Sequence, residues 1–333
     1  MSERPLCSIS LDLDDLWSYM KIRGDQRWVE RPSYLPTFLP LALDTLEELG
    51  LRITFFVVGY DATVDTNAKA MESLVTRGHE VGNHSFEHDS WLHLYSRDQL
   101  TEEIVKAENA LTAVTGQRPR GFRGPGYSWS ETLLEVLAGR DYLYDASTLP
   151  TYLGPLARAY YFATAGKGMS KTPERKTLFG TFRDGLRPVG AYEWALRDGH
   201  SLLEIPVTTI PGIKTPFHFS YLLFLARRSE ALAFGYLRTA LALCRAAGVE
   251  PSFLLHPLDL MGGDELHELA FFPGMDLSTK RKQALFKKAL GILTEEHTPV
   301  TMSTHATAIR ARARLARRVP DAATASASTA AAR

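Results

Sequence analysis

Apolar and polar positions alternate through "LCSISLDL", residues 6–13, and the run ends in acids. This pattern predicts a buried strand with a polar C-terminal end. "YLPTFLPLALDTLEELGL" follows with apolar residues at helical spacing and Gly50 near its stop, and predicts a helix. "RITFFVVG" predicts a second strand, "AKAMESLVTRG" a helix ending at Gly78, and "HEVGNHS" a short strand turning into a loop. "RDQLTEEIVKAENALTAVTG" has the pattern of an amphipathic helix closed by Gly116. "PRGFRGPGYSWS" reads as strand then loop, and "SETLLEVLAGRDY" as a helix started by Ser130. "SLLEIPVTT" and "PSFLLHPLDL" predict later strands.

Apolar strands alternating with helices predict an α/β fold of parallel strands, as an open sheet or a barrel. Polar residues recur just after strands, where both architectures place their chemistry. The rhythm breaks over residues 150–195, which mix aromatic residues, glycines and basic residues and read as an irregular insertion over one barrel mouth. A second irregular region, "MGGDELHELAFFPGMDL", follows His256. The expected organisation is one barrel domain over residues 1–305. A tail over 306–333 is basic at first, then Ala/Ser/Thr-rich, and is expected to be disordered.

Composition is that of an ordinary globular protein: 333 residues, 45% hydrophobic and 23% charged. Lys plus Arg equals Asp plus Glu at 38 each, so no net field points to nucleic acid as a partner. The two cysteines, Cys7 and Cys244, argue against a disulfide framework and fit a reducing compartment. "MSERPLCSISLDLDDLW" has no apolar run of signal-peptide length before its acids. The longest apolar region, "HFSYLLFLARRSEALAFGYLRTALALC", is interrupted by Arg227, Arg228, Glu230 and Arg238. The expected location is therefore the cytoplasm, with any membrane contact peripheral at the inner face.

Four short stretches could carry chemistry. In "HSFEH", His84 and His88 stand four apart, so a helical turn would put both imidazoles on one side, within reach of one divalent ion. Two unrelated surface histidines would give the same spacing. In "SLDLDDLW", Asp12, Asp14 and Asp15 crowd a strand end, where they repel one another unless a cation answers them. A carboxylate there could join two histidines on a metal; a frayed strand end or a helix cap would look alike. In "GFRGPGYSWS", Arg123 precedes a Gly-Pro-Gly turn, and its fork could hold a carboxylate or face solvent. In "FLLHPLD", His256 ends an apolar strand, as a core histidine or as a general acid at a barrel mouth.

In their order along the chain these motifs resemble the polysaccharide deacetylase (NodB-homology, carbohydrate esterase) family. "LDLDD" is similar to its acidic motif, "HSFEH" to its metal motif, "RGPGY" to its arginine-proline motif and "LLH" to its last. The resemblance spans roughly residues 6–305, with 150–195 poorly matched. It implies a distorted (β/α)7 barrel and a divalent metal, zinc in first place with Co, Ni or Mn as alternatives. It also implies hydrolysis of an N-acetyl group on an amino sugar. By position, His84 and His88 are implied metal ligands. The commonest family pattern makes Asp14 the base and Asp15 the third ligand; another branch makes Asp12 the base and Asp14 the ligand. Arg123 is implied to hold the base and His256 to protonate the leaving amine. Pro125 and Tyr127 fall at substrate-binding positions, with the Tyr127 backbone N–H toward the oxyanion. The family's aspartate that supports the histidine has no assigned position here, and Asp145 in "YLYDAS" reads as structural. Ser85 shapes the turn, and Glu87 and Asp89 are bystanders.

The expected partner is an N-acylated amino sugar, of a glycan or a lipid-linked intermediate. Two features point to a lipid carrier. One is "LARAYYF" with Lys167, Lys171, Arg175 and Lys176. The other is the apolar, arginine-dotted stretch around residues 215–245, which would equally suit a core helix. Rival readings are a deformylase or other amidase on a soluble sugar precursor, and a barrel that binds glycan without catalysis. The second rival expects a lost ligand or acid, and every expected residue type is present. A closed structural metal site would need a further Cys or His ligand. His218, beside aromatic residues, belongs to a pocket or to the surface.

Overall fold

The computed structural model describes residues 4–164, 174–178, 180–270, 272–312 and 314–320. Ten strands and ten α-helices are found among them. The strands are β1 (Leu6–Leu13), β2 (Thr54–Val57), β3 (Glu80–Asn83), β4 (Gly121–Phe122), β5 (Tyr144–Asp145), β6 (Tyr192–Ala195), β7 (Ser201–Glu204), β8 (Ser252–Leu255), β9 (Thr298–Val300) and β10 (Arg317–Arg318). The first helices are α1 (Leu16–Arg23), α2 (Leu35–Glu48), α3 (Asp65–Thr76), α4 (Arg97–Thr115), α5 (Glu131–Gly139) and α6 (Gly154–Thr164). They are followed by α7 (Phe219–Ala226), α8 (Glu230–Ala246), α9 (Thr279–Glu296) and α10 (Met302–Arg312).

The order β7-β5-β4-β3-β2-β1-β8 is parallel throughout and forms the wall of a distorted (β/α)7 barrel. No strand pairing joins β7 to β8. The Thr208 N–H donates to Ser252 O at 3.1 Å and the Ser252 N–H to Thr208 Oγ1 at 2.8 Å, which spans the seam. β6 runs antiparallel on the outer side of β7, and β10 pairs with β6.

The alternation of β1 sorts its side chains onto two faces. Cys7, Ile9, Leu11 and Leu13 join the large outer core, with Phe38, Leu43, Leu241 and Phe286 of the surrounding helices. Ser8, Ser10, Asp12 and Asp14 take the opposite face and are buried as well. The barrel interior is thus partly polar, and its lower part is filled by Phe56, Tyr144, Leu203, Ile205 and Met302. Helix α10 closes the end opposite the strands' C-termini. Its Met302 N–H donates to Thr54 Oγ1 (2.8 Å), its Ser303 N–H to Glu80 Oε2 (2.9 Å), and His305 Nδ1 pairs with Ser8 Oγ (3.0 Å). The boundary expected at residue 305 therefore falls inside a helix whose His305, Ala306 and Ile309 are buried. Residues 321–333 of the tail lie outside the described residues, as do Lys167 and Lys171 of the 150–195 stretch. That stretch also holds α6 and β6. The apolar run near 215–245 forms two helices, α7 and α8, packed on each other with buried inner faces. No helix among the described residues is long and apolar enough to cross a membrane.

Gly121 of β4 leaves room for a side chain from the neighbouring strand. Tyr144 of β5 lies across it and donates its hydroxyl to Glu80 Oε1 at 2.9 Å; a Cβ on Gly121 would fall 2.0 Å from Tyr144 Cζ. Gly121→Ala should lower stability by about 1–3 kcal/mol, because the aromatic ring and the bond to Glu80 must shift. Urea denaturation should show a lower midpoint with an unchanged slope, and an unchanged midpoint would contradict this packing.

Candidate active site

The C-terminal ends of β1, β3, β4 and β8 bring the candidate residues to one mouth. Period two places Asp12 on the interior side of β1, and Asp14, just past the strand's end at Leu13, meets the histidines there while Asp15 does not. Among the described residues, Asp14, His84 and His88 form the group able to hold a metal ion, with one donor atom from each all within 4.8 Å of one another. Asp14 Oδ1 lies 3.3 Å from His84 Nε2 and 2.9 Å from His88 Nε2.

The two histidines do not share a helical turn. They sit on the loop after β3, which doubles back because Ser85 (φ 63°) and His88 (φ 52°) take left-handed backbone conformations. Such conformations cost about 1–3 kcal/mol each and need support from neighbours. The Ser85 N–H donates to Asn83 Oδ1 (2.8 Å) and the His88 N–H to Ser85 Oγ (3.1 Å), so Ser85 does shape the turn. Glu103 of α4 accepts from the Phe86 and Glu87 N–H groups at 2.9 and 2.6 Å. Glu87 and Asp89 stay off the metal group: Glu87 pairs with Arg31 at 2.5 Å and Asp89 with Lys21 at 2.8 Å, tying the loop to the segment after β1.

The donor set fits a metal. His84 Nδ1 lies 2.6 Å from Arg123 O, which requires a proton on Nδ1 and leaves the Nε2 lone pair of the neutral ring toward Asp14. Asp14 Oδ1 and both ring nitrogens of His88 are buried without a hydrogen-bond partner, although Asp14 Oδ1 and His88 Nε2 are close. Converging donors that make no hydrogen bond to one another are what a shared cation requires.

Asp15, the ligand preferred from the commonest family pattern, is absent from this group. It starts α1, with its Oδ1 accepting from the Leu16 N–H (2.7 Å) and the Tyr34 N–H (3.0 Å), and burial pushes its pKa up to about 6. Asp12 instead meets Arg123, whose Nη1 donates to Asp12 Oδ1 at 2.7 Å and to Ser10 Oγ at 2.8 Å. Arg123 Nε donates to Ala146 O at 3.0 Å, and the guanidinium lies 4.3 Å from the Phe56 ring centroid. The structure thus arranges Asp12 as the arginine-held acid and Asp14 beside the histidines, the second of the two patterns.

Pro125 and Tyr127 follow in a tight turn with Gly126 and Tyr127 both left-handed. The Tyr127 N–H donates to Gly124 O at 3.0 Å and is not free for an oxyanion, which corrects that expectation. Burial, with the Asp12 carboxylate adding to it, pushes the Tyr127 hydroxyl pKa up.

His256 ends β8. Sequence reasoning missed its partner, Asp259, three residues on. Asp259 Oδ2 accepts from the His256 N–H at 2.8 Å and lies 3.9 Å from His256 Nδ1, and Ser220 Oγ donates to Asp259 Oδ1 at 2.8 Å. Burial pulls the His256 pKa down, but Asp259, with Asp12 and Asp14 behind it, outweighs this and holds it at about 9. The spacing in "HPLD" was the available signal, since a proline after a histidine and an acid three positions on make a tight capped turn. Asp145 bonds Ser147 Oγ at 2.6 Å and lies against Glu204 in the barrel wall.

Residues 8–144 match the family model for polysaccharide deacetylases. This span covers Asp12, Asp14, His84, His88 and Arg123; His256 lies beyond it. The peptidoglycan deacetylase of Helicobacter pylori is 26% identical over 133 residues, 40% of this chain and 43% of that protein. A peptidoglycan-N-acetylglucosamine deacetylase of Bacillus cereus is 31% identical over 88 residues, 26% of this chain and 31% of that protein. The chain thus spans less than half the length of these relatives. In fold, it resembles a crystal structure from Mycobacterium smegmatis that is named among the polysaccharide deacetylases. The TM-score is 0.60 and the identity 20%, over 96% of this chain and 95% of the other. Over residues 8–144, with the acids, histidines and arginine they bring to one barrel mouth, the chain is similar to the polysaccharide deacetylases.

Proposed function

We propose that the chain is a metal-dependent hydrolase that removes the N-acetyl group from an amino sugar of a glycan. The observation that carries this reading is the grouping of Asp14, His84 and His88 beside an arginine-held Asp12, with His256 braced by Asp259. The relatives named above act, by their names, on peptidoglycan and its N-acetylglucosamine, which suggests the sugar.

Asp14, His84 and His88 would hold a divalent ion, and zinc suits two nitrogens and one oxygen. Such an ion supplies Lewis acidity toward an acyl oxygen and makes a water more acidic. Asp12, fixed by Arg123, takes the proton from the attacking water. His256, protonated and oriented by Asp259, gives a proton to the amine nitrogen as the C–N bond breaks. Pro125 and Tyr127 wall the substrate between the two groups.

The carrier of the sugar belongs to the same proposal. Leu156, Phe182, Leu186, Ile213 and Phe224 are exposed on segments that follow β5 and β7. Exposed apolar side chains with arginines among them suit a lipid-linked glycan at the inner face of a membrane, with the protein cytoplasmic and peripheral. Co-sedimentation with anionic liposomes tests this: sedimentation supports it, and a protein that stays in the supernatant favours a soluble substrate.

The assignment of ligands separates the aspartates. Asp14→Ala should lower zinc affinity by about tenfold or more, as loss of metal-site contacts does. Asp15→Ala should keep zinc and lower the melting temperature instead, through loss of the α1 cap and its bond to Tyr34. Zinc retained on dialysis, measured by mass spectrometry, decides between them. Acetate release from oligomers of N-acetylglucosamine tests the reaction itself. Asp12→Asn should reduce turnover about 10²–10⁴-fold with metal retained.

The pH profile follows from His256. The imidazole must be protonated to donate, and it stays so below about 9. The acid's contribution to kcat/KM is therefore complete well below that pH and falls as pH rises through it. In Asp259→Asn a raising influence is lost, so this alkaline limb should move to lower pH. A limb that stays in place would remove Asp259 from this role.

A further inference from the structure

We propose that His218 is a substrate-contacting residue that hydrogen-bonds a hydroxyl of the sugar in the active-site mouth; this rests on the amino-sugar reading above. Three observations point to it. His218 precedes α7 and is 94% buried, from a relative exposure of 6%. Its ring lies 6.1 Å from that of His256 and 4.7 Å from that of Tyr221, edge-on to both. Its Nδ1 has no hydrogen-bond partner.

The position leaves the imidazole available. At a helix start a polar side chain usually caps the free N–H groups, but His218 makes no such bond; only its carbonyl serves the helix, accepting from the Tyr221 and Leu222 N–H groups. A buried nitrogen left unpaired costs about 1–3 kcal/mol, which a ligand in the mouth would recover. Burial and the adjacent His256 push the His218 pKa down to about 3, so the ring is neutral when His256 is charged. A neutral imidazole offers one donor and one acceptor. A sugar hydroxyl also has both. The two neighbouring histidines thereby divide the work: Asp259 and Ser220 serve His256, and His218 is left to face the ligand.

The test uses the zinc-loaded full chain with histidine rings labelled with ¹⁵N. Addition of a tetramer of N-acetylglucosamine should shift the His218 Nδ1 resonance, identified by its absence from His218→Phe. An unmoved resonance overturns the proposal. In acetate-release assays His218→Phe should raise KM about tenfold, the equivalent of ~1.4 kcal/mol, with kcat nearly unchanged. Against a set of monodeoxy analogues, the penalty should vanish for the one that lacks the contacted hydroxyl. A penalty equal on every analogue, or no penalty at all, also overturns the contact. If His218→Phe folds poorly, His218→Gln, which removes the same resonance, serves for the assignment. Absence of acetate release with the ring shift present would overturn the deacetylase reading and leave the contact in place. Release without the shift would do the reverse.

Discussion

Arg123 is the constraint on which the site depends. Its side chain is fully buried and crosses the barrel to reach Ser10 and Asp12 on β1, and Ala146 beyond β5. Its backbone carbonyl holds His84 Nδ1, and its backbone N–H donates to Asn83 O. One residue thus orients the acid through its guanidinium and a metal-group histidine through its peptide. A buried guanidinium is expensive unless its charge and its donors are answered. Asp12 supplies the charge, Ser10 and Ala146 supply acceptors for Nη1 and Nε, and the Phe56 face covers the plane, while Nη2 is buried without a partner. The cost is repaid in position, since neither Asp12 nor His84 can turn without breaking a bond to the same residue.

This arrangement explains the polar interior of β1. A residue as long as arginine fits across a narrow barrel only where the facing side chains are small, and Ser10 provides that space beside Asp12. The lower interior then needs its own solution, because Ser8, Thr54 and Glu80 would otherwise point polar atoms into a closed end. Helix α10 answers all three through His305, the Met302 N–H and Ser303. The barrel is therefore finished by a segment whose composition reads as the start of a basic tail, because the groups that meet the barrel's polar end are backbone N–H groups, Ser303 and His305. No local pattern in the sequence marks it.

Most of the fold was legible because its strands are apolar runs and its helices carry stop signals. β1, β2, β3, α3, α4 and α5 all fall where the periodicity places them, and the four motifs meet at one end as their positions after strands imply. What was not legible depended on direction in space. The adjacency of Asp14 and Asp15 suggested a pair acting together, yet β1 ends at Leu13, and Asp15 turns away to cap α1 while Asp14 meets the histidines. The histidine spacing suggested a helical turn, whereas two left-handed residues bring the rings together in a loop. Period four is compatible with either, and only the support from Asn83, Ser85 and Glu103 selects the loop.

The same geometry separates the chemistry into two halves held by different parts of the chain. The acid–arginine–histidine half sits on β1, β3 and β4, within residues 8–144, and its members are cross-braced by direct hydrogen bonds. The His256 half sits on β8 and α7, and β8 pairs directly with β1. Its order comes from the His256–Asp259–Ser220 cluster rather than from contacts to the metal group. Each half is rigid by itself, and their separation is set by how β1 pairs with β8. The register Ser10 to Leu254 and Leu11 to Leu255 is thus what places the His256 imidazole opposite Asp12 and Asp14. A slip of one residue would turn His256 to the outer face and leave the acids without their partner.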